Sequence, residues 1–247
     1  MIKVGCCGYS YFRPSQYYGD SWRKKFKSVL SAYASKFNLV EINSTFYKIP
    51  QVKTAEKWLT EAREINKNFE FTVKAFQQIT HIDKFAGKSL EIYSKMKEIC
   101  SALEAKILLF QSPAGFKPIE ENVKNIRKFF MKANRGKLIF AWEPRGDWWK
   151  KVDLIKEICE ELDIICCVDP LRNSYPWQKI AYFRLHGFGK PTMYNYKFSA
   201  EELKKVKSLA KNFKESYVLF NNIYMYEQAL EFSKLRLTKN EKIKMKK

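Results

Sequence analysis

The chain has little glycine and little proline, 9 and 8 residues in 247, scattered singly at the ends of apolar segments. That scatter excludes a low-complexity segment or a Pro/Gly-rich linker, so a single domain over residues 1–238 is expected, followed by a short basic tail, 239–247. No apolar run is long enough to cross a bilayer. The opening Met1-Ile2-Lys3-Val4-Gly5 runs straight into a strand-like segment, with no room for a secretory leader. A soluble cytoplasmic protein is the expectation. The six cysteines, Cys6-Cys7, Cys100, Cys159 and Cys166-Cys167, lack Cys-x-x-Cys spacing. This removes zinc-ribbon and dithiol chemistry and leaves buried reduced thiols. Histidine is scarcest of all, with only His81 and His186.

Acidic residues are also in deficit, 26 against 46 Lys and Arg, for a net charge of +20. The tail holds five lysines and Glu241, so it supplies only four of those charges and the body carries the rest. A surface this basic attracts nucleic acid, DNA or RNA, by counterion release, and it attracts anionic small molecules and anionic membrane surfaces as well. The competing account is thermal, since Lys/Glu enrichment also marks hyperthermophile proteins.

What the chain does have is eight short apolar runs: Ile2–Cys7, Leu39–Asn43, Phe69–Lys74, Lys106–Gln111, Lys137–Trp142, Ile164–Val168, Ile180–Leu185 and Tyr217–Phe220. Their length and content read as strands. Between most of them lie apolar stripes of helical period, such as Trp22, Phe26, Leu30, Tyr33 and Phe37, or Leu203, Val206, Ala210 and Phe213. Alternating strands and helices with near-continuous apolar strands predict an α/β fold with a parallel sheet, and eight repeats predict closure into a TIM-like (β/α) barrel. Only Leu171–Lys179 separates the sixth and seventh strands, so that crossover is abbreviated. An open doubly wound sheet is the alternative, but Gly5-Cys6-Cys7-Gly8 is not the Gly-x-Gly-x-x-Gly turn it would carry.

Most of the runs end in polar clusters, and barrels of this kind gather their chemistry at the carboxyl ends of their strands. Side chains alternate across a strand, so parity sorts the clusters. Glu41 and Asn43 face inward while Val40 and Ile42 face the helices. The same count turns Thr72 and Lys74, Ala141, Glu143 and Arg145, Cys167 and Asp169, and Arg184 and His186 inward, and Gln111 and Asn221 end their own strands. Three carboxylates, Glu41, Glu143 and Asp169, thus oppose three cations, Lys74, Arg145 and Arg184, a set that can pair completely. A purely structural ion-pair network is therefore one reading. The other is catalytic. His186, oriented by Glu41, Glu143 or Asp169, serves as general acid/base, and the cations hold an anionic oxygen such as a phosphate. A divalent metal on the carboxylates and His186 is a third arrangement, disfavoured because Lys74 and Arg184 repel the ion.

Aromatic residues rim the same mouth. The segment from Tyr9 and Tyr11 to Trp22 is expected to be a loop opening onto it. Trp142, Trp148 and Trp149 bracket Glu143 and Arg145, and Tyr194 and Tyr196 follow His186. Rings beside cations are how bases or sugar faces are held, although packing alone accounts for many of them. The candidate substrate-binding residues are Asn43, Tyr47, Lys74, His81, Gln111, Arg145, Arg184, Asn221, Asn222, Tyr9 and Tyr11. The catalytic candidates are His186, Glu41, Glu143 and Asp169.

Several strings in order carry a resemblance: Val4-Gly5-Cys6-Cys7-Gly8-Tyr9-Ser10-Tyr11, Val40-Glu41-Ile42-Asn43-Ser44-Thr45-Phe46-Tyr47, Phe71-Thr72-Val73-Lys74-Ala75 with Ile79-Thr80-His81, Leu109-Phe110-Gln111, Val168-Asp169, Arg184-Leu185-His186-Gly187 and Phe220-Asn221-Asn222. Together they resemble the YecE-like family, domain of unknown function 72. The resemblance spans nearly the whole chain. It implies a TIM-like barrel and brings no catalytic assignment. Two places depart from the family's habit. Cys6-Cys7 stands where small polar residues are usual, and Glu143-Pro144-Arg145 stands where Arg-His-Pro is usual, which moves a cation and removes a histidine near the mouth.

The function expected from these observations is an enzyme acting on a phosphate-bearing substrate, with nucleic-acid hydrolysis first. A sugar or sugar-phosphate isomerase or hydrolase is the second reading, and a non-catalytic nucleic-acid-binding protein the third.

Overall fold

The computed structural model describes residues 1–174 and 179–236. The end of the predicted domain at 238 and the tail 239–247 lie outside the described residues, as do 175–178 within the sixth crossover. Eight strands run in parallel: β1 (Ile2–Cys6), β2 (Leu39–Ile42), β3 (Glu70–Lys74), β4 (Ile107–Gln111), β5 (Ile139–Glu143), β6 (Ile165–Cys166), β7 (Ala181–Leu185) and β8 (Ser216–Phe220). Their order is β6-β5-β4-β3-β2-β1-β8-β7. A parallel bridge between Val168 and Phe183 joins the two ends. The Val168 amide donates to the Tyr182 carbonyl at 3.2 Å and the Arg184 amide to the Val168 carbonyl at 3.0 Å. The sheet is thus a nearly closed barrel, as its eight apolar runs predict.

Helices α1 (Ser15–Tyr18), α2 (Val29–Ala34), α3 (Val52–Ile65), α4 (Ser89–Ala102), α5 (Glu120–Lys132), α6 (Val152–Glu161), α7 (Ala200–Lys211) and α8 (Met225–Lys234) connect and cover the strands. Among the described residues no helix lies between β6 and β7. One expected helix is broken. The stripe from Trp22 to Phe37 divides into a 3-10 turn at Asp20–Lys24 and α2. Ser28, in extended conformation, accepts from the Ser31 amide while Ser31 Oγ accepts from the Ser28 amide, and this reciprocal cap restarts the chain as a new helix.

Strand parity divides the core in two. Outward side chains such as Val40, Phe71, Phe110, Trp142 and Phe183 pack against the helices. Inward ones, including Leu39, Leu109, Ala141, Cys167, Tyr182 and Leu219, fill the barrel. Fully burying one such aromatic or aliphatic side chain contributes about 1.5–3 kcal/mol. All six cysteines are buried and unpaired. No helix of the described residues is long and apolar enough to cross a membrane.

The amino end of the barrel is closed by Lys3. Its ammonium lies 2.6 Å from Glu70 and 2.5 Å from Glu215, with the Tyr217 hydroxyl at 3.2 Å. Burial alone lowers its pKa, but Glu215 and Glu70 outweigh burial and raise it above the usual lysine value. Beside it, β1 and β2 approach so closely that a Cβ on Gly5 would stand 2.1 Å from the Leu39 carbonyl oxygen. Backbone cannot yield as a flexible side chain does. Gly5→Ala is therefore expected to lower the unfolding free energy by about 3 kcal/mol, the upper part of the overpacking range, in urea titrations followed by tryptophan fluorescence. A loss under about 0.5 kcal/mol contradicts this register.

Candidate functional site

At the carboxyl end of the strands the polar side chains form two layers. The lower layer centres on Arg184 of β7, which is 1 % exposed. Its Nη2 donates to Glu41 Oε1 at 2.8 Å, and its Nη1 donates to Glu143 Oε2. Glu41, on β2, is 0 % exposed. The Tyr182 hydroxyl donates to its other oxygen at 2.7 Å and lies 2.8 Å from the Thr72 hydroxyl. One guanidinium thus bridges two carboxylates carried by β2 and β5, with Tyr182 completing the acceptor set of Glu41.

Glu143 belongs to both layers. Its Oε1 accepts from Gln111 Nε2 at 2.9 Å and from Arg145 Nε at 2.9 Å. Burial raises the pKa of this carboxyl, but Arg184, Arg145 and His186 together hold it well below the usual carboxylate range. Gln111 faces the other way with its Oε1, which accepts from Lys74 Nζ at 2.9 Å. Lys74 also stands over the face of Phe46, 4.0 Å from the ring centroid. No carboxylate among the described residues pairs with it. Burial, followed by the positive charge of Arg184, brings its pKa down to about 8 against the partial opposition of Glu143 and Glu41.

The expected three-against-three pairing is therefore corrected. Arg184 bonds two of the carboxylates and Arg145 shares one of them. Asp169 turns to backbone, accepting from the His186 amide at 3.0 Å and the Leu171 amide at 3.1 Å. Its cation is Arg172, at 3.8 Å, a residue of the loop after β6. Burial raises the Asp169 pKa, with those amides opposing. Lys74 is left with an amide and an aromatic ring.

Both histidines reach the mouth, but not as acids or bases poised near neutrality. His186 Nε2 lies 3.1 Å from Arg145 Nη2. A guanidinium can only donate, so Nε2 is the acceptor and the ring proton sits on Nδ1. Burial lowers its pKa to about 3, opposed by Glu143 and assisted by Arg184, Arg145 and Arg172. His81 sits in a π-helical turn, Gln78–Ile82, its ring 4.8 Å from that of Phe46 and its Nδ1 2.8 Å from the Thr80 hydroxyl. Burial and the charges of Lys74 and Arg145 lower its pKa to about 4. The expectation of His186 and Glu41 as an acid/base pair is thus corrected. Glu41 is sealed beneath the site, and the acceptor nitrogen of His186 is already engaged.

The remaining candidates divide between mouth and packing. Asn43 donates to the Cys7 carbonyl at 3.0 Å, while its Oδ1 is buried without a partner. Asn222 is buried and donates to the Tyr196 carbonyl at 2.9 Å, which fixes the loop after His186 rather than opening to solvent. Asn221 is half-buried at the end of β8. Tyr47 and Tyr11 are exposed, 72 % and 84 %, whereas Tyr9 packs against the core, and burial pushes its pKa up to about 12. The expected aromatic loop instead folds inward at Phe12, which stacks on Tyr17 and meets Tyr33 edge-on. Trp142 and Trp148 are wholly buried on the helix side, so these two rings are packing and not a stacking platform, whereas Trp149 is half-buried and donates to the Pro144 carbonyl. Gly187 has φ +95°, and a Cβ there would meet Tyr196 at 2.4 Å. The turn after Arg184-Leu185-His186 therefore requires glycine.

Three contributors were absent from the expected set: Tyr182, Phe46 and Arg172. Tyr182 has the parity of Arg184, so the strand pattern already placed it inside. Phe46 lies in the 3-10 turn Ser44–Phe46 after β2, where strand parity no longer indicates direction. Arg172 lies in a loop, where no periodicity signals it. Among the described residues no three His, Cys, Asp or Glu side chains are grouped to hold a metal ion. The Glu143 oxygens are already bonded to Arg184, Arg145 and Gln111.

The fold and this site define a TIM-like barrel protein with a cation-rich mouth over saturated carboxylates. Residues 3–244 match the family described as "Protein of unknown function DUF72", and the chain belongs to that family. The UPF0759 protein YunF of Bacillus subtilis is 27% identical over 231 residues, 78% of this chain and 80% of that protein. A DUF72 family protein of Thermotoga maritima superposes with TM-score 0.73 at 26% identity, covering 95% of this chain and 98% of that one. One from Enterococcus faecalis gives 0.74 at 22%, covering 96% and 97%. More distant barrels share the fold alone. A D-tagatose 3-epimerase-like protein gives TM-score 0.60 at 14% identity, covering 99% and 98%. SacUVDE gives 0.59 at 10%, covering 94% and 96%.

Arg184→Met leaves Glu41 and Glu143 without their buried countercharge. It is expected to destabilise the protein by about 3–5 kcal/mol, read as a shift of the urea midpoint at pH 7. A loss below about 1 kcal/mol means the pair is dispensable.

Proposed function

We propose that the mouth is the active site of an enzyme that acts on a phosphate-bearing substrate. The observation that carries this reading is the layering of charge. Glu41, Glu143 and Asp169 are buried and bonded from within, while the ionic groups that retain exposure are Lys74, Arg145 and Arg172. An approaching ligand thus meets cations and neutral donors. Arg145 engages Nε and Nη2 with Glu143 and His186, and its Nη1 has no partner among the described residues. A guanidinium with donors still free suits a phosphate oxygen, and fixed cations stabilise negative charge that develops there.

A nucleic-acid strand is the substrate favoured by the net charge of +20 and by the exposed rings of Tyr11 and Tyr47. Sugar phosphates are the second substrate class, because barrels of this fold include a D-psicose 3-epimerase and a D-tagatose 3-epimerase-like protein. Hydrolysis through His186 and Glu41 is not carried forward, since neither has a free proton-accepting atom facing the substrate. The mouth group that changes protonation nearest neutrality is Lys74, at about 8.

Calorimetric titration with inorganic phosphate, ribose 5-phosphate and a short single-stranded oligonucleotide tests the proposal. Arg145→Met is expected to weaken phosphate binding about 10- to 100-fold, the worth of a charged hydrogen bond or two. If Arg145→Met and Lys74→Met both leave affinity unchanged and oligonucleotide binding falls steeply with salt, the protein binds through its surface lysines and the mouth is not the site.

A further inference from the structure

Two lysines point into this barrel, one at each end, in opposite surroundings. Lys3 closes the amino end and is paired with both Glu70 and Glu215. Lys74 stands at the carboxyl end with no carboxylate partner among the described residues. Its nitrogen is held by a neutral amide, Gln111, at 2.9 Å, and rests 4.0 Å from the face of Phe46. Gln111 is itself fixed by its 2.9 Å donation to Glu143, so the position of the amine is set from the ion-pair layer below. A lysine that only neutralised charge would sit like Lys3. One kept half-buried, oriented by an amide, backed by a ring and flanked by Arg145 and Arg184 is arranged as a nucleophile.

We infer that Lys74 forms an imine with an aldehyde or ketone carbonyl of the phosphate-bearing substrate, whose phosphate Arg145 holds. The inference rests on the mouth being a phosphate site and adds the second functional group of the substrate. In the step, the amine lone pair forms a bond to the carbonyl carbon as the carbon–oxygen π pair moves to oxygen. Both amine protons end on that oxygen, which departs as water and leaves a carbon–nitrogen double bond. No oxidant or reductant enters. The neutral amine is the reacting form, and with a pKa of about 8 roughly one molecule in ten carries it at pH 7, against about one in three thousand for an ordinary lysine. Two sources offer the same chemistry, an open-chain sugar phosphate and the ring-opened aldehyde of an abasic site in a nucleic-acid strand.

The test is reductive trapping. The full chain is incubated with sodium cyanoborohydride and one of three probes: D-glyceraldehyde 3-phosphate, D-glyceraldehyde, or an oligonucleotide with a single abasic site. Adducts are then mapped by peptide mass spectrometry. The expected result is a secondary amine on Lys74, at least tenfold above the exposed Lys53, with one of the phosphate-bearing probes. Its yield should rise with pH around about 8 and fall to the level of the unphosphorylated probe in Arg145→Met. Lys74→Arg should lose the adduct. The probe that labels names the source. Phosphate binding without preferential labelling of Lys74 overturns this inference alone, whereas absence of phosphate binding at the mouth overturns the reading beneath it. Labelling of the wild-type chain needs no variant to fold, so a destabilised Lys74→Arg leaves the test decisive.

Discussion

A guanidinium buried in the barrel and bonded to two carboxylates from different strands is the constraint around which the rest of the site is arranged. Each of these charges alone carries a desolvation cost of several kcal/mol inside a protein, and only mutual pairing with good geometry offsets it. Arg184 meets that condition by bridging Glu41 and Glu143, and Tyr182 fills the remaining acceptor position of Glu41. Once Glu143 is held in this way, its second oxygen has a fixed place. Gln111 and Arg145 take their positions from it, and Lys74 takes its position from Gln111.

The electrostatic character of the mouth follows from that order of assembly. Carboxylates consumed by the lower layer are not available to the upper one, so the groups facing solvent are positive or neutral even though negative residues are close by in sequence. Burial first, with the neighbouring cations adding to it, keeps both histidines neutral and brings the Lys74 pKa down. A balanced set of charges in the sequence thus becomes an unbalanced surface in the folded chain, because balance is achieved below the level a ligand reaches.

Much of this was legible in the sequence. Parity placed Glu41, Lys74, Glu143 and Arg184 on the inner face, since Val40, Val73, Trp142 and Phe183 claim the helix side. Eight apolar runs declared the barrel, and the shortness of Leu171–Lys179 declared its weak crossover. What parity cannot give is depth along the barrel axis, and depth decides which cation meets which carboxylate. Asp169, three residues past the end of its strand, reaches backbone amides instead of Arg184. The stripe from Trp22 to Phe37 kept its helical period in sequence, but the Ser28–Ser31 cap divided it. Trp142 neighbours the rim in sequence, but its parity, opposite to that of Glu143, assigns it to the core, where the structure packs it.

The central claim is that the mouth presents cations above carboxylates already satisfied from within. The most direct measurement is the crystal structure of the protein soaked in tungstate, an anomalous scatterer with the shape and charge of a divalent phosphate. The account predicts a tungstate held between Arg145 and Lys74, with Arg184 still bonded to Glu41 and Glu143. Tungstate found only on surface lysines, with the mouth empty or with Glu143 turned towards solvent, would contradict it.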